Sequence, residues 1–340
     1  MSIQHLTSLD AFIAFDFDDA TINAGGTRFA PDVTEHEASL LARAMTYKFG
    51  AIEIRTGGAK GAIRGAFDRH DELMRTYCDE IRPLVRSGKF LTGPDLGTSE
   101  TDFAPLRDPD NQSIMAREPN IEDLLTGFGI VVAAETAIGS LEDRTFAIEG
   151  FGKVGGGVAR EAVRRGARVI AISTLDGVVR DEKGLDVELL MGLRKEHGDA
   201  VVRMSGYDFD DDPAMLFETK ADILVPGART GVITQPRASR LSTPWIAPAA
   251  NVPYTKEAID TLKQRRIRYL PDFVCNAGAT IGYTSSADTA QEVFAIVEKK
   301  ISALMSRAAS DPRGPFEGAC AMAEAFIATW HEPPAGPPLA

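Results

Sequence analysis

TFAIEGFGKVGGGVAREAVRRGARVIAISTLDG, residues 145–177, decides the fold. Phe146-Ala147-Ile148 is an apolar run too short for a helix and reads as a buried strand. Gly150-Phe151-Gly152-Lys153-Val154-Gly155 follows as a G-x-G-x-x-G loop. Behind it Val158, Ala159, Ala162 and Val163 share one helical face, with Arg160, Glu161, Arg164 and Arg165 on the other. Gly166 is placed to end that helix, and Val169-Ile170-Ala171-Ile172 reads as the next strand. A lone glycine fingerprint is weak evidence; one set between strand and helix in a βαβ unit of about 30 residues is specific. Gly150 permits a tight turn, Gly152 a close backbone approach to a pyrophosphate, and Gly155 close packing of helix on strand. The helix start offers unpaired N–H groups to the phosphates. The alternative is an ordinary glycine-rich βα turn.

Working outward, strands are expected at 11–17, 51–54, 90–91, 222–226, 245–247 and 268–270, and helices from Thr34, over 68–86, 130–134, 186–197, 256–266, 288–309 and 316–330. Strands alternating with helices predict an α/β protein with a doubly wound, Rossmann-type parallel sheet. Two domains are expected. An α/β substrate-binding and oligomerisation domain takes residues 1–125 plus about 305–340, and a dinucleotide-binding domain takes 126–304. Residues 107–120 read as polar and irregular, and the proline-rich tail at 333–338 as a loose end.

Two glycine-rich loops each carry one charge: Gly57-Gly58-Ala59-Lys60-Gly61 and Gly93-Pro94-Asp95-Leu96-Gly97-Thr98. Such loops at strand ends are where α/β enzymes place reacting groups, although surface turns have the same composition. Thr34 and Glu37 form a capping box. The helix it starts has Leu41, Met45 and Lys48 on one face. A lysine continuing an apolar stripe either snorkels to solvent or has a buried task.

The net charge of −12 argues against nucleic acid, which needs a basic face. The 44% apolar and 25% charged content is that of a globular enzyme. Cys78, Cys275 and Cys320 are scattered, which fits reduced thiols and suggests no metal site. MSIQHLTSLD lacks a signal pattern, and no run of about 18 apolar residues predicts a membrane span. A cytoplasmic protein is expected.

In chain order, Gly25-Gly26-Thr27-Arg28, Met45-Thr46-Tyr47-Lys48, the Lys60 loop, the Asp95 loop, Thr126-Gly127, the loop at 150–155 and Pro271-Asp272 through Asn276-Ala277-Gly278 resemble the glutamate/leucine/phenylalanine/valine dehydrogenase family over roughly residues 11–310. The resemblance implies NAD(P)-dependent oxidative deamination of an L-amino acid to a 2-oxo acid and ammonia, the reverse reductive amination, two domains flanking a cleft, and a homo-oligomer. It implies that Lys48, with Gly25 and Gly26 beside it, holds the substrate α-carboxylate. It also implies that Lys60 is the catalytic lysine and Asp95 its acidic partner, that Asn276 lies near nicotinamide and substrate, and that Thr126 contacts the carboxamide. Asn251, Ser173 and Thr174 complete the expected cofactor set. A lysine base near neutrality needs desolvation or a second cation, and Lys48 is the expected second cation.

Departures from the family concern the side-chain pocket. Glutamate-specific members carry a lysine where this chain has Ala24 and a serine where it has Tyr283. Both ionic contacts to a glutamate side chain are absent, which favours a neutral, apolar or aromatic substrate. Arg55 replaces a proline, either as a solvated loop residue or as a new anion site, and Pro248-Ala249-Ala250-Asn251 replaces Glu-Gly-Ala-Asn. Most of the family's N-terminal helix is missing, so no particular assembly is carried over. After the second Rossmann strand stand Ser173 and Thr174 rather than the acid that binds a ribose hydroxyl, leaving NAD and NADP open. Two other readings stand beside deamination: reductive condensation of an oxo acid with an unusual amine, and a non-catalytic dinucleotide sensor.

Overall fold

A computed structural model describes residues 1–108 and 113–340. The chain divides into two compact units, Met1–Gln112 with Cys320–Pro338, and Ser113–Ala319.

The first unit is built on a five-stranded sheet of β1 (Ser2–His5), β2 (Ala11–Phe15), β3 (Asn23–Ala24), β4 (Thr27–Phe29) and β5 (Gly57–Ile63). β1 and β2 are antiparallel, β2 and β5 are antiparallel, and β3 and β4 both run parallel to β5. Helix α1 (Glu35–Ala51) covers one face, where Ala38 and Ala42 pack with Phe12, Ala14 and Ala62. On the other face, helix α2 (His70–Arg86) supplies Met74, Tyr77, Cys78 and Ile81 to a core with Phe15, Ala59, Ile63 and Phe90.

The expected strand at 51–54 and loop at 57–61 are corrected. Helix α1 continues to Ala51, and the glycine-rich segment is the central strand β5, buried along its whole length. Its glycines answer to steric demand rather than flexibility. A Cβ on Gly58 would lie 1.9 Å from the Ala42 carbonyl oxygen and 2.4 Å from the Thr46 nitrogen, so α1 can approach only if that side chain is absent. Thr46 Oγ1 then accepts the Gly58 N–H at 2.9 Å. Of the capping box, one half forms: Thr34 Oγ1 accepts from the Glu37 N–H, while the Glu37 carboxylate is drawn to Arg28.

The second unit carries the 145–177 stretch as expected: β6 (Thr145–Glu149), helix α4 (Lys153–Arg164) and β7 (Arg168–Thr174), with Gly166 at φ +84° closing the helix. Val163, expected inward, is half exposed. Arg165, expected outward, is mostly buried among Glu135, Glu161 and Glu298. Strands β8 (Gly177–Arg180), β9 (Asp208–Asp210), β10 (Ile223–Val225), β11 (Trp245–Ile246) and β12 (Arg268–Tyr269) complete a sheet of order β12-β11-β10-β6-β7-β8-β9. It is parallel from β12 to β7, and β8 and β9 add an antiparallel edge that the sequence reading did not foresee.

Helix α3 (Ile121–Ile138) belongs wholly to this unit, although the sequence placed a boundary at 126. Its glycine face explains why: Gly127 lies against Gly157 and Val158, and Gly129 against Ile301 of helix α8 (Ala290–Ala309). Helix α9 (Pro315–Ile327) begins here, where Glu317 accepts from the Tyr269 hydroxyl. It ends in the first unit, where Glu324 accepts from the Tyr47 hydroxyl, so the return comes at Cys320 rather than near 305. The proline-rich tail, expected as a loose end, is tethered: Arg43 Nη1 donates to the Gly336 carbonyl at 3.1 Å, and Pro338 is buried. Of the irregular stretch expected at 107–120, residues 109–112 lie outside the described residues, and Ile114–Arg117 is a helical turn.

Candidate functional site

In the first unit, strand alternation puts Gly58, Lys60 and Ala62 on the face covered by α1. Lys60 is 3% exposed. The segment that delivers Asp95 runs beside β3 and β4: Gly25 N–H donates to Leu91 O at 3.0 Å, Thr27 N–H to Gly93 O at 2.9 Å, and Phe29 N–H to Leu96 O at 2.9 Å. Gly25 and Gly26 make this close packing possible. A Cβ on Gly25 would sit 1.7 Å from the Ala59 oxygen, and one on Gly26 would sit 2.6 Å from the Pro94 oxygen and 3.0 Å from Asp95 Cβ. Thr98 Oγ1 accepts from the Asp95 N–H and donates to Thr27 O, both at 2.9 Å, which fixes the turn.

The outcome is a line of alternating charges. Lys60 Nζ lies 3.0 Å from Asp95 Oδ1. Arg28 Nε donates to Asp95 Oδ2 at 2.8 Å, and Arg28 Nη1 to Glu37 Oε1 at 2.7 Å. Burial pushes the Lys60 ammonium below the ordinary lysine value; Asp95 pulls it up, Arg28 pushes it down again, and the net direction is down. Burial alone would raise the Asp95 carboxyl, but Lys60 and Arg28 outweigh it and hold the group well below the usual carboxylate range. The cation acting most strongly on Lys60 is therefore Arg28, whereas the sequence suggested Lys48. Lys48 is itself buried in the last turn of α1, so solvent snorkelling is not its fate. Ala24 lies on β3, paired in register with Gly58. Arg55 is exposed, as a solvated loop residue would be.

The residues expected to bind the dinucleotide lie in the second unit. Gly150 adopts φ +83°, a conformation suited to glycine. A Cβ on Gly155 would lie 1.9 Å from the Gly150 oxygen, whereas one on Gly152, which caps α4, would meet nothing within 4 Å. The open space beside Gly152, at the positive end of α4, suits a pyrophosphate. Phe151 is buried, so its backbone alone can face a ligand. Lys153 is exposed and 3.4 Å from Asp123, and Val154 is partly buried. Ser173 and Thr174 end β7 with buried side chains, and the Thr174 hydroxyl donates to Asp199 O.

Sheet order reverses between β6 and β10, which is where open α/β sheets bind ligands. Glu149 sits there and accepts the N–H groups of Gly227 and Ala228, both at 3.1 Å. Asn276 Nδ2 donates to Asn251 Oδ1 at 2.8 Å and to Ala249 O at 3.1 Å, tying the loops after β11 and β12 together. A Cβ on Gly278 would lie 1.9 Å from Leu125 O, so the Asn276 loop is seated on α3 next to Thr126. Thr126 Oγ1 bonds back to Glu122 O. Tyr283 ends helix α7 (Gly278–Tyr283) and is half exposed.

Sequence reasoning overlooked Arg28, Glu37 and Glu149 as parts of these sites. Arg28 stands inside a quoted motif and Glu149 directly precedes the fingerprint, so adjacency was the available signal. Among the described residues, no helix is long and apolar enough to cross a membrane, and no group of His, Cys, Asp and Glu could hold a metal ion.

Residues 4–110 match the Glu/Leu/Phe/Val dehydrogenase dimerisation domain, and residues 120–316 match the Glutamate/Leucine/Phenylalanine/Valine dehydrogenase family. Glutamate dehydrogenase A2 of Halobacterium salinarum is 31% identical over 283 residues, 76% of this chain and 67% of that protein. The NAD-specific glutamate dehydrogenase of Staphylococcus aureus is 30% identical over 282 residues, 76% of this chain and 67% of that protein. Among solved structures, the hetero-hexameric glutamate dehydrogenase of Thermus thermophilus in its Leu-bound form superposes with a TM-score of 0.76 at 22% identity, covering 93% of this chain and 83% of that one. L-tryptophan dehydrogenase of Nostoc punctiforme superposes with a TM-score of 0.64 at 22% identity, covering 96% and 94%. With both sequence halves matched, and a buried lysine–aspartate pair and a dinucleotide loop where the motifs require them, the chain belongs to the glutamate/leucine/phenylalanine/valine dehydrogenase family of NAD(P)-dependent amino acid dehydrogenases.

Proposed function

We propose that the chain oxidatively deaminates a neutral L-amino acid with an apolar or aromatic side chain, and runs the reverse amination, using NAD or NADP. The observation that carries the substrate choice is Ala24, an uncharged residue at the position where glutamate-specific members place a lysine. Tyr283 in place of a serine supports it. A buried carboxylate left without a partner costs about 3–5 kcal/mol, enough to disfavour glutamate by about 10²-fold or more. The same fold serves proteins named for glutamate and for tryptophan, so it does not dictate the side chain.

The fingerprint residues Gly150 to Gly155, with Thr126, Asn251 and Asn276, would hold the dinucleotide, whose nicotinamide supplies a hydride acceptor when bound. Lys48 pairs with the substrate α-carboxylate. Lys60, in its neutral form, takes a proton from the water that adds at Cα, and Asp95 exchanges protons with that water and the departing amino group. Two properties of the pair favour this work: a lysine pushed down towards neutrality, and a carboxylate kept ionised beside it. The match to a dimerisation domain supports a homo-oligomer.

The test is a panel of L-amino acids with NAD+ and NADP+ at alkaline pH, followed by absorbance of the reduced cofactor. Leucine-, valine-, phenylalanine- or tryptophan-type substrates are expected to exceed glutamate in kcat/KM by about 10²-fold. Glutamate as the best substrate would overturn the side-chain assignment, and no turnover with any amino acid would overturn deamination.

A further inference from the structure

The Asp95 carboxylate has two oxygens, and each has a different cation. Oδ1 faces Lys60 at 3.0 Å and Oδ2 takes the Arg28 Nε–H at 2.8 Å. Arg28 is nearly buried, and its other arm is held by Glu37 at 2.7 Å. Glu37 comes from the first turn of α1, where its carboxylate leaves half of the capping box unmade. A guanidinium fork suits this bridging: it binds two carboxylates in fixed directions, which an ammonium cannot do.

We propose that Arg28, steered by Glu37, is a positioning residue for proton transfer: it fixes which Asp95 oxygen faces Lys60 and sets the charge balance of the pair. The inference rests on the deaminase reading for its kinetic consequences, but the arrangement itself stands on geometry. Arg28 bonds to Asp95 and Glu37, and it acts on Lys60 through Asp95.

The charged groups bearing on Lys60 come from three neighbouring segments. Asp95 comes from the segment beside β4, Arg28 from β4 and Glu37 from α1. Lys48 is a further cation of α1, in its last turn. Strand β2 brings none, since Ala14 is the cross-strand partner of Lys60. The signs then separate two variants. Removing the Arg28 charge relieves the repulsion on Lys60, so the lysine holds its proton to higher pH. Removing the Glu37 charge leaves Arg28 uncompensated, so the lysine gives up its proton at lower pH.

The experiment compares wild type, Arg28→Gln, Arg28→Lys and Glu37→Gln by the pH profile of kcat/KM with the best amino acid of the panel. The limb that rises with pH is expected to move about one pH unit higher in Arg28→Gln, the scale of a neighbouring cation, and to move lower in Glu37→Gln. kcat should fall about 10- to 100-fold in Arg28→Gln with KM little changed, and Arg28→Lys should recover only part of it. A purely structural role predicts lower stability with no movement of the limb. Unmoved limbs, or both variants moving the same way, would overturn the proposal. Should Arg28→Gln not fold, the direction in Glu37→Gln decides. Should wild type turn over no amino acid, the pH dependence of Lys60 acetylation by acetic anhydride, read by peptide mass spectrometry, gives the same two directions and separates this proposal from the deaminase reading.

Discussion

Lys60 and Asp95 form a pair whose value depends on pH, and the signs can be worked out from their surroundings. The Asp95 carboxyl is depressed in the folded chain, so it contributes stability above the unfolded carboxylate value of about 3.9, and that contribution is lost as pH falls towards its folded value. Asp95→Asn leaves Lys60 and Arg28 buried without their shared anion, which costs about 3–5 kcal/mol. The variant should melt below wild type at pH 7 in calorimetry, with the gap narrowing as pH drops below about 4. A gap independent of pH would mean that packing, not charge, holds the site. For Lys60, a folded value below the ordinary one means a cost to stability at neutral pH that is relieved as pH rises towards about 10.4. Lys60→Ala should lower kcat by about 10²–10⁴-fold, the usual contribution of a positioned base, and leave dinucleotide binding by fluorescence titration unchanged. Lys48→Ala should raise KM for the amino acid more than it lowers kcat. The residue types at 48, 60 and 95 could be read from the sequence because each sits in its own motif. The Arg28 bridge could not, because it joins positions separated by 67 and 9 residues and depends on how β4 meets the Asp95 segment.

Two elements show how composition can mislead and how geometry corrects it. Glycine-rich β5 reads as a flexible loop, yet it is the middle of a sheet, because glycine there provides room for α1, Asn23, Thr27 and Tyr77 rather than mobility. Gly58→Ala should therefore destabilise strongly, as overpacking against a backbone oxygen at 1.9 Å has no flexible neighbour to yield. The Rossmann loop was read correctly because periodicity changes from strand to helix across the glycines, a local signal. Its glycines nonetheless differ in task. Gly155→Ala places a Cβ 1.9 Å from Gly150 O and should lower Tm, whereas Gly152→Ala meets nothing within 4 Å and has ordinary φ. The expected outcome is an unchanged Tm for Gly152→Ala together with at least about tenfold weaker NAD(P) binding, because the new methyl fills the space where backbone would approach the pyrophosphate. Unchanged binding in Gly152→Ala would place the phosphates elsewhere.

At the scale of the whole molecule, the alternation of strands and helices disclosed the second sheet, but the first sheet was largely hidden. Three of its strands have two to four residues, too few to show a period-2 pattern. The same strands bear on assembly. Among the described residues, β1 ends the first sheet with only β2 as a neighbour, and an exposed strand edge is a site for pairing. The first unit also exposes Phe67, Leu96, Leu91 and Ile22, large apolar side chains whose burial would favour association. Each chain brings a net charge of −12, so subunits repel through solvent, and salt screens that repulsion. Light scattering after size exclusion should therefore give a mass of at least twice 36.6 kDa, and the assembly should withstand dilution better at about 200 mM salt than at about 20 mM, where the screening length is longer. A mass of one chain at both salt concentrations would rule out the homo-oligomer, and dissociation promoted by salt would show that ion pairs, rather than apolar contact, join the subunits.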